Sequence, residues 1–487
     1  MRVGEASPTF KKLFNYLYLI RYHNPYHFYL EGCMNFSLSR NKALPLALAA
    51  FGILAVSANA AERYKDRQFS VEKTKDVTYA TNVPHLSSLH SLSSTLIEEV
   101  GQYVYFYTNE NDVELKPLLM DLYTPKGDTE KKRAAVIVSH GGAFVAGAKD
   151  DTDQQTVTYC DSLAARGFVA ASIEYRMGVT LAGSGINYSI DSVDFGRAVY
   201  RSVQDINAAV RYMRKNADKL GIDPNRIYLV GNSAGAILSL ENIYTAKEND
   251  FPSYVQKNGA PDLGSLNIYG EQGVDAHANG VVALWGAVHN PNIIGDNKTP
   301  VFLVHGTDDE TVLFKTGRPL ANASKMIANM LPNSMAALAS LIKFDIGTPT
   351  LYGSFVIDSV LKAKKIDHET YFVERAYHEF YDEAEYEKPV RTKVFDFLYK
   401  LASADSPISI GKQAIVRESG IQMLHGNKSF TVSRGHALKY EVVDLRGRTS
   451  MSGRVSAGES VDLSSLKNGV YVLRVQGEPS IRFGLSK

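Results

Sequence analysis

The chain has 487 residues, 45% of them hydrophobic and 22% charged, an ordinary globular balance with enough apolar positions for a large core. A formal net charge of +1 excludes a global electrostatic pull toward nucleic acid or anionic membranes. Only two cysteines, Cys33 and Cys160, are present, which rules out a disulfide framework and a cysteine zinc site.

Residues 1–33 are aromatic and basic without a clear period and read as an upstream extension from a misassigned start. Residues 34–60 have the pattern of a secretory signal peptide. Arg40 and Lys42 supply the positive end, Ala43–Val56 is the apolar run, and Ala58-Asn59-Ala60 is a small-residue cleavage site. The run is short for a membrane span, and no cysteine follows it to carry a lipid. A mature chain from Ala61 is expected, with Cys160 as its only thiol and no integral membrane span.

A polar stretch then runs to about Leu96. Tyr103–Tyr107 and Leu118–Tyr123 read as early strands. Ala134–Ser139 is a continuous apolar run, expected of a strand buried on both faces, and it leads into His140-Gly141-Gly142. Residues 153–166 read as helix and Phe168–Glu174 as a second buried strand. Phe195–Lys219 carries a helical stripe that includes Ala198, Val199, Val203, Ile206, Val210 and Met213. Arg226–Val230 is a strand, followed by a helix from Ala236. Val281–Trp285, Val301–Val304 and Glu369–Val373 are further strands, and Phe380–Leu401 is a closing helix.

Strands alternating with helices predict an α/β domain over 61–403, built on a mostly parallel sheet with helices on both faces. A Leu-, Ala- and Met-rich insert at 313–346 interrupts the rhythm before a strand signal at Leu351–Ser354. It is expected to be either a helical lid or a decorating hairpin. Composition shifts at Ser403–Pro407. After a linker at 404–413, short strands separated by Gly turns over 414–487 predict a small β-sandwich.

The chemistry concentrates in three turns. Gly231-Asn232-Ser233-Ala234-Gly235 lies between a strand and a helix, the setting of a nucleophile elbow. A hydroxyl is a weak nucleophile and needs a base. His378, after the Tyr371–Val373 strand, is the candidate. His368 opens that strand rather than following it, and His425 and His436 belong to the C-terminal module. In His305-Gly306-Thr307-Asp308-Asp309, Asp309 is preferred over Asp308 and Glu310 as the acid that orients the imidazole. Backbone amides of Gly142, Ala143 and Ala234 are the expected oxyanion hole.

Together these residues resemble the α/β-hydrolase superfamily over about residues 110–400, in particular its carboxylesterase-like members with a His-Gly-Gly-Gly loop and bacterial carbohydrate esterases. Leu119-Met120-Asp121-Leu122-Tyr123-Thr124-Pro125, Ile173-Glu174-Tyr175-Arg176 and Gly221-Ile222-Asp223-Pro224-Asn225-Arg226-Ile227 look like landmarks of the same family. Ala143 departs from the pattern where many relatives have a third glycine. It keeps its amide but narrows the pocket floor. The resemblance implies a serine esterase that needs no metal and no organic cofactor.

Tyr440–Arg448 and Val461–Val475 resemble a type IX secretion sorting domain. That likeness implies the secretion machinery as a partner and release outside the cell or at its surface. A carbohydrate-binding or purely structural sandwich is the alternative for this module. An exported esterase is expected to act on polymers too large to import, such as plant cell-wall polysaccharide carrying acetyl or feruloyl esters. A lipase or short-chain carboxylesterase and a non-catalytic hydrolase-fold adhesion protein are the competing expectations.

Overall fold

The computed structural model of the chain describes residues 61–93, 104–150, 155–184, 187–252, 255, 260–321, 343–382, 384–403, 421–424, 428–433, 435, 437–444, 448–476 and 481–485. The expected upstream extension, signal segment and linker lie outside these residues, as do residues 322–342 of the insert.

Among the described residues, eight strands form the main sheet: β1 (Val71–Leu86), β2 (Val113–Pro125), β3 (Arg133–Ser139), β4 (Val169–Ile173), β5 (Ile222–Asn232), β6 (Val281–Leu284), β7 (Val301–Gly306) and β8 (Glu369–Val373). Their order across the sheet is β1-β2-β4-β3-β5-β6-β7-β8. From β4 to β8 all neighbours are parallel. β2 pairs antiparallel with both β1 and β4. The sheet is therefore mixed, a parallel body edged by an antiparallel ribbon.

Helices α1 (Thr156–Ala164), α2 (Ser192–Lys215), α3 (Ala234–Tyr244), α4 (Ser354–Ala363) and α5 (Ala384–Ser403) pack on it. Strand alternation sorts the side chains into two cores. Ala135 and Ile137 of β3, Leu229 of β5 and Leu303 of β7 join one core with α2, α3 and α4. Val136 and Val138, Val230, and Phe302 and Val304 join the other with α1 and α5. Helices thus cover both faces. Asp191 caps α2 by accepting from the Val193 amide at 2.9 Å. Arg176 fastens the end of β4 to α2 through a buried pair with Asp205 at 2.7 Å, and this places the neighbouring Tyr175.

Several elements differ from the sequence expectations. The stretch read as polar contains β1, a 16-residue strand. At the sheet edge one face meets water, so Glu72, Lys73, Lys75 and Asp76 are tolerated. Register shifts, with left-handed backbone at Asp76 (φ 56°) and Asn82 (φ 54°), break the period-two pattern. In the strand expected at 103–107, only Phe106–Tyr107 is extended within the described residues, and it pairs with Val179–Thr180 outside the main sheet. Leu351–Gly353 forms a side sheet with Ala287–Val288 and Thr316–Gly317, and α4 follows it unanticipated. The closing helix starts later than expected, after a 3-10 turn at Phe380–Asp382.

Near the C-terminus, Ile421–Leu424, Ser429–Val432 and Ser460–Asp462 form one antiparallel sheet. Leu438–Asp444, Thr449–Val455, Gly469–Val475 and Ile481–Leu485 form a second. Phe430 and Val432 of the first share a buried cluster with Val442 and Leu473 of the second. Thr449–Val455 is mostly exposed and lacks alternation, so its sequence carries no strand signature.

Candidate active site

The parallel strands β5, β7 and β8 all point their carboxyl ends toward one rim of the sheet, where open α/β sheets bind ligands. Ser233 follows β5, Asp309 follows β7 and His378 follows β8. The structure brings these three side chains together. His378 Nε2 lies 3.0 Å from Ser233 Oγ, and His378 Nδ1 lies 2.7 Å from Asp309 Oδ2.

Ser233 has φ 52° and ψ −118°, a sparsely populated conformation for a side-chain-bearing residue. The turn is tight on both sides. A Cβ on Gly231 would sit 2.1 Å from the carbonyl oxygen of Gly235, and one on Gly235 would sit 2.2 Å from that of Ser139. The Ser233 amide donates to Leu284 O at 2.9 Å, tying the turn to the end of β6.

Asp309 is buried, whereas Asp308 and Glu310 are exposed. Its Oδ1 accepts from the amides of Thr311 (2.8 Å) and Val312 (2.9 Å), and its Oδ2 faces both His378 and His305. Burial pushes its pKa up. The hydrogen bonds from His305 and His378 outweigh burial and hold the carboxyl well below the usual carboxylate range. Burial pushes His378 down, but the hydrogen bond and charge of Asp309 raise it above the ordinary imidazole value. His368 is engaged elsewhere, 2.8 Å from Asp358 Oδ1. His425 and His436 lie outside the described residues.

The loop after β3 turns sharply, with φ 104° at Gly142, 54° at Ala143 and 61° at Phe144. Only a residue without Cβ fits at Gly142, since a Cβ there would lie 2.1 Å from Ala146 O. The Gly142 carbonyl is consumed by the amides of Val145 and Ala146, both at 2.9 Å. Among the described residues, the amides of Gly142 and Ala143 donate to no backbone carbonyl. Ala234 is the first residue of α3, so its amide has no intrahelical acceptor. His140 stacks on Tyr175 with ring centroids 4.4 Å apart. Its Nδ1 lies 2.7 Å from Gly141 O, and burial drops its pKa to about 4, so the ring stays neutral.

Two neighbours were not singled out in the sequence. Trp285, the single tryptophan, is fully buried, stacks on Tyr381 at 4.8 Å and presents an edge to His378 at 6.2 Å. Its place directly after β6 was the available signal. His305 sits in the same turn motif as Asp309.

A hydroxyl in line with an imidazole, itself held by a carboxylate, at the carboxyl rim of this strand order is the arrangement of an α/β-hydrolase-like domain. Over residues 120–268 the chain matches the BD-FAE family model. It is 29% identical over 180 residues to Endo-1,4-beta-xylanase B of Butyrivibrio fibrisolvens, covering 34% of this chain and 28% of that protein. It is 24% identical over 201 residues to Liver carboxylesterase 1 of Oryctolagus cuniculus, covering 40% of this chain and 33% of that one. The chain thus spans 28% and 33% of the length of these curated relatives. Among solved structures, Thermogutta terrifontis esterase 2 phosphorylated by paraoxon aligns at 20% identity and a TM-score of 0.37, covering 62% of this chain and 94% of that one.

Proposed function

We propose that the protein is a serine carboxylic-ester hydrolase acting through an acyl-serine intermediate. The observation that carries this reading is His378 bridging Ser233 Oγ at 3.0 Å and Asp309 Oδ2 at 2.7 Å. Ser233 Oγ attacks the ester carbonyl and gives its proton to His378 Nε2. Asp309 stabilises the imidazolium and fixes the ring with Nδ1–H toward itself. The amides of Gly142, Ala143 and Ala234 receive the negative oxygen of the tetrahedral intermediate. Collapse breaks the bond to the alcohol oxygen, which takes the proton from His378. Water then repeats the sequence: it attacks the acyl carbon as His378 takes its proton, and collapse breaks the bond to Ser233 Oγ, which takes that proton back as the carboxylic acid leaves.

The substrate we infer is an acetyl or feruloyl ester on plant cell-wall polysaccharide. The match to the BD-FAE model and the partial likeness to a protein named as a xylanase support this reading. The working location we infer is outside the cell or at its surface. The signal-like residues 34–60 and the sorting-domain resemblance of Tyr440–Arg448 and Val461–Val475 support it. The likeness to Liver carboxylesterase 1 and the Met-rich insert favour a second reading, a lipase or short-chain carboxylesterase.

Hydrolysis of p-nitrophenyl acetate by wild type and Ser233→Ala tests the reaction. Turnover is expected to fall at least ~10³-fold with the fold intact, and an unchanged rate overturns the assignment. Comparing acetylated xylan and methyl ferulate with a long-chain ester decides between the two substrate readings.

A further inference from the structure

We propose that His305 is a positioning residue that fixes the Asp309 carboxylate for His378; this rests on the esterase reading above. His305 is fully buried at the end of β7 and faces Oδ2 of Asp309, the carboxylate oxygen opposite the one that the Thr311 and Val312 amides hold. The two amides of Thr311 and Val312 anchor Oδ1 only. On Oδ2 the partners are His378 Nδ1 at 2.7 Å and His305 Nε2 at 3.1 Å. His305 is thus the second anchor of the oxygen that holds the general base.

The ring's own contacts assign its proton. Nε2 faces only acceptors, Asp309 Oδ2 and the Val312 carbonyl at 2.8 Å, so it carries hydrogen. Nδ1 lies 2.8 Å from Ser354 Oγ and accepts from that hydroxyl. Ser354 is fully buried and begins α4, so the helix sets the tautomer of His305, which in turn orients Asp309. This is the logic by which an outer hydrogen bond fixes a functional side chain. Phe314 packs on His305 in a T-shaped arrangement, with ring centroids 5.5 Å apart.

The same ring could be mere core packing. Substitutions that separate shape from hydrogen bonding decide between the two roles. His305→Leu fills the volume and removes the donor. His305→Gln keeps an N–H near the Nε2 position. With p-nitrophenyl acetate and the full chain, His305→Leu is expected to lose about 10- to 100-fold in kcat with KM little changed, the worth of one charge-assisted hydrogen bond. His305→Gln is expected to recover most of that loss. A His305→Leu enzyme with wild-type kcat overturns the proposal, as does His305→Gln being equally impaired. Should His305→Leu fail to fold, Ser354→Ala removes only the hydroxyl that sets the tautomer. Its kcat is expected to fall about 2- to 5-fold at constant KM, the worth of a neutral hydrogen bond, and an unchanged kcat overturns the proposal. Ser233→Ala measured alongside separates the two levels. If it keeps full activity, the esterase reading itself fails. If it is inactive while the His305 and Ser354 variants are normal, only the positioning role fails.

Discussion

At the scale of single residues, the proposed chemistry depends on the protonation of His378. The ring accepts the Ser233 proton only when Nε2 is unprotonated, and Asp309 holds its pKa above the ordinary value of ~6.5. The kcat/KM of ester hydrolysis is therefore expected to rise with pH along a limb whose midpoint lies above ~6.5. Asp309→Asn removes the negative charge and lets the ring turn to the wrong tautomer. We expect kcat to fall ~10³- to 10⁴-fold and the limb to shift to lower pH. A pH–rate profile of the two enzymes measures both effects, and a limb unmoved by the substitution contradicts the role given to Asp309. Trp285 adds a reporter. Its ring centroid lies 6.2 Å from that of His378, so its emission should change when Ser233 is acylated.

At the scale of elements, the elbow between β5 and α3 is limited by backbone contact. Gly235→Ala places a methyl group 2.2 Å from Ser139 O, and neither partner is a side chain able to swing away. We expect a loss of about 1–3 kcal/mol in stability together with most of the activity, read by thermal unfolding and ester hydrolysis. The β1–β2 ribbon carries a different liability. Asp121 of β2 is fully buried and takes Lys73 at 2.8 Å and Lys149 at 3.1 Å, and Lys149 is itself nearly buried. Asp121→Ala leaves these cations with less compensation and is expected to cost about 3 kcal/mol. A denaturation midpoint equal to wild type would show that Asp76, 2.9 Å from Lys149, suffices alone.

Across the whole molecule, pH acts on stability through a buried pair behind the site. Glu241 of α3 is fully buried and accepts from the His289 amide and ring Nδ1, both at 2.9 Å, while His289 Nε2 lies 2.7 Å from Asp250 O. Burial pushes His289 down, but Glu241 raises it overall. Burial pushes Glu241 up, but His289 lowers it overall. The raised histidine contributes stability that is complete below its unfolded value of ~6.5 and is lost as pH climbs through its folded value. The lowered carboxylate contributes above ~4.3 and is lost as pH falls through its folded value. Wild type should therefore lose more stability than His289→Gln between neutral and alkaline pH, and parallel unfolding curves would contradict this.

The turns that carry Ser233, Asp309 and His378 were legible because local constraints mark them. Glycines flank the serine, and strand signals precede all three turns. The buried strands were legible because a strand covered on both faces reads as one apolar run. β1 was not, because an edge strand with bulges has no such signature. His305 carries no such mark, since nothing along the chain says what its ring touches. By itself the sequence determined the succession of strands and helices and the short turns between them, since these depend on neighbours within a few residues. Only the tertiary structure decided that β4 lies between β2 and β3, that Asp309 and not Asp308 faces the imidazole, and that a second histidine shares its oxygen. Those outcomes depend on distances between parts of the chain far apart in sequence.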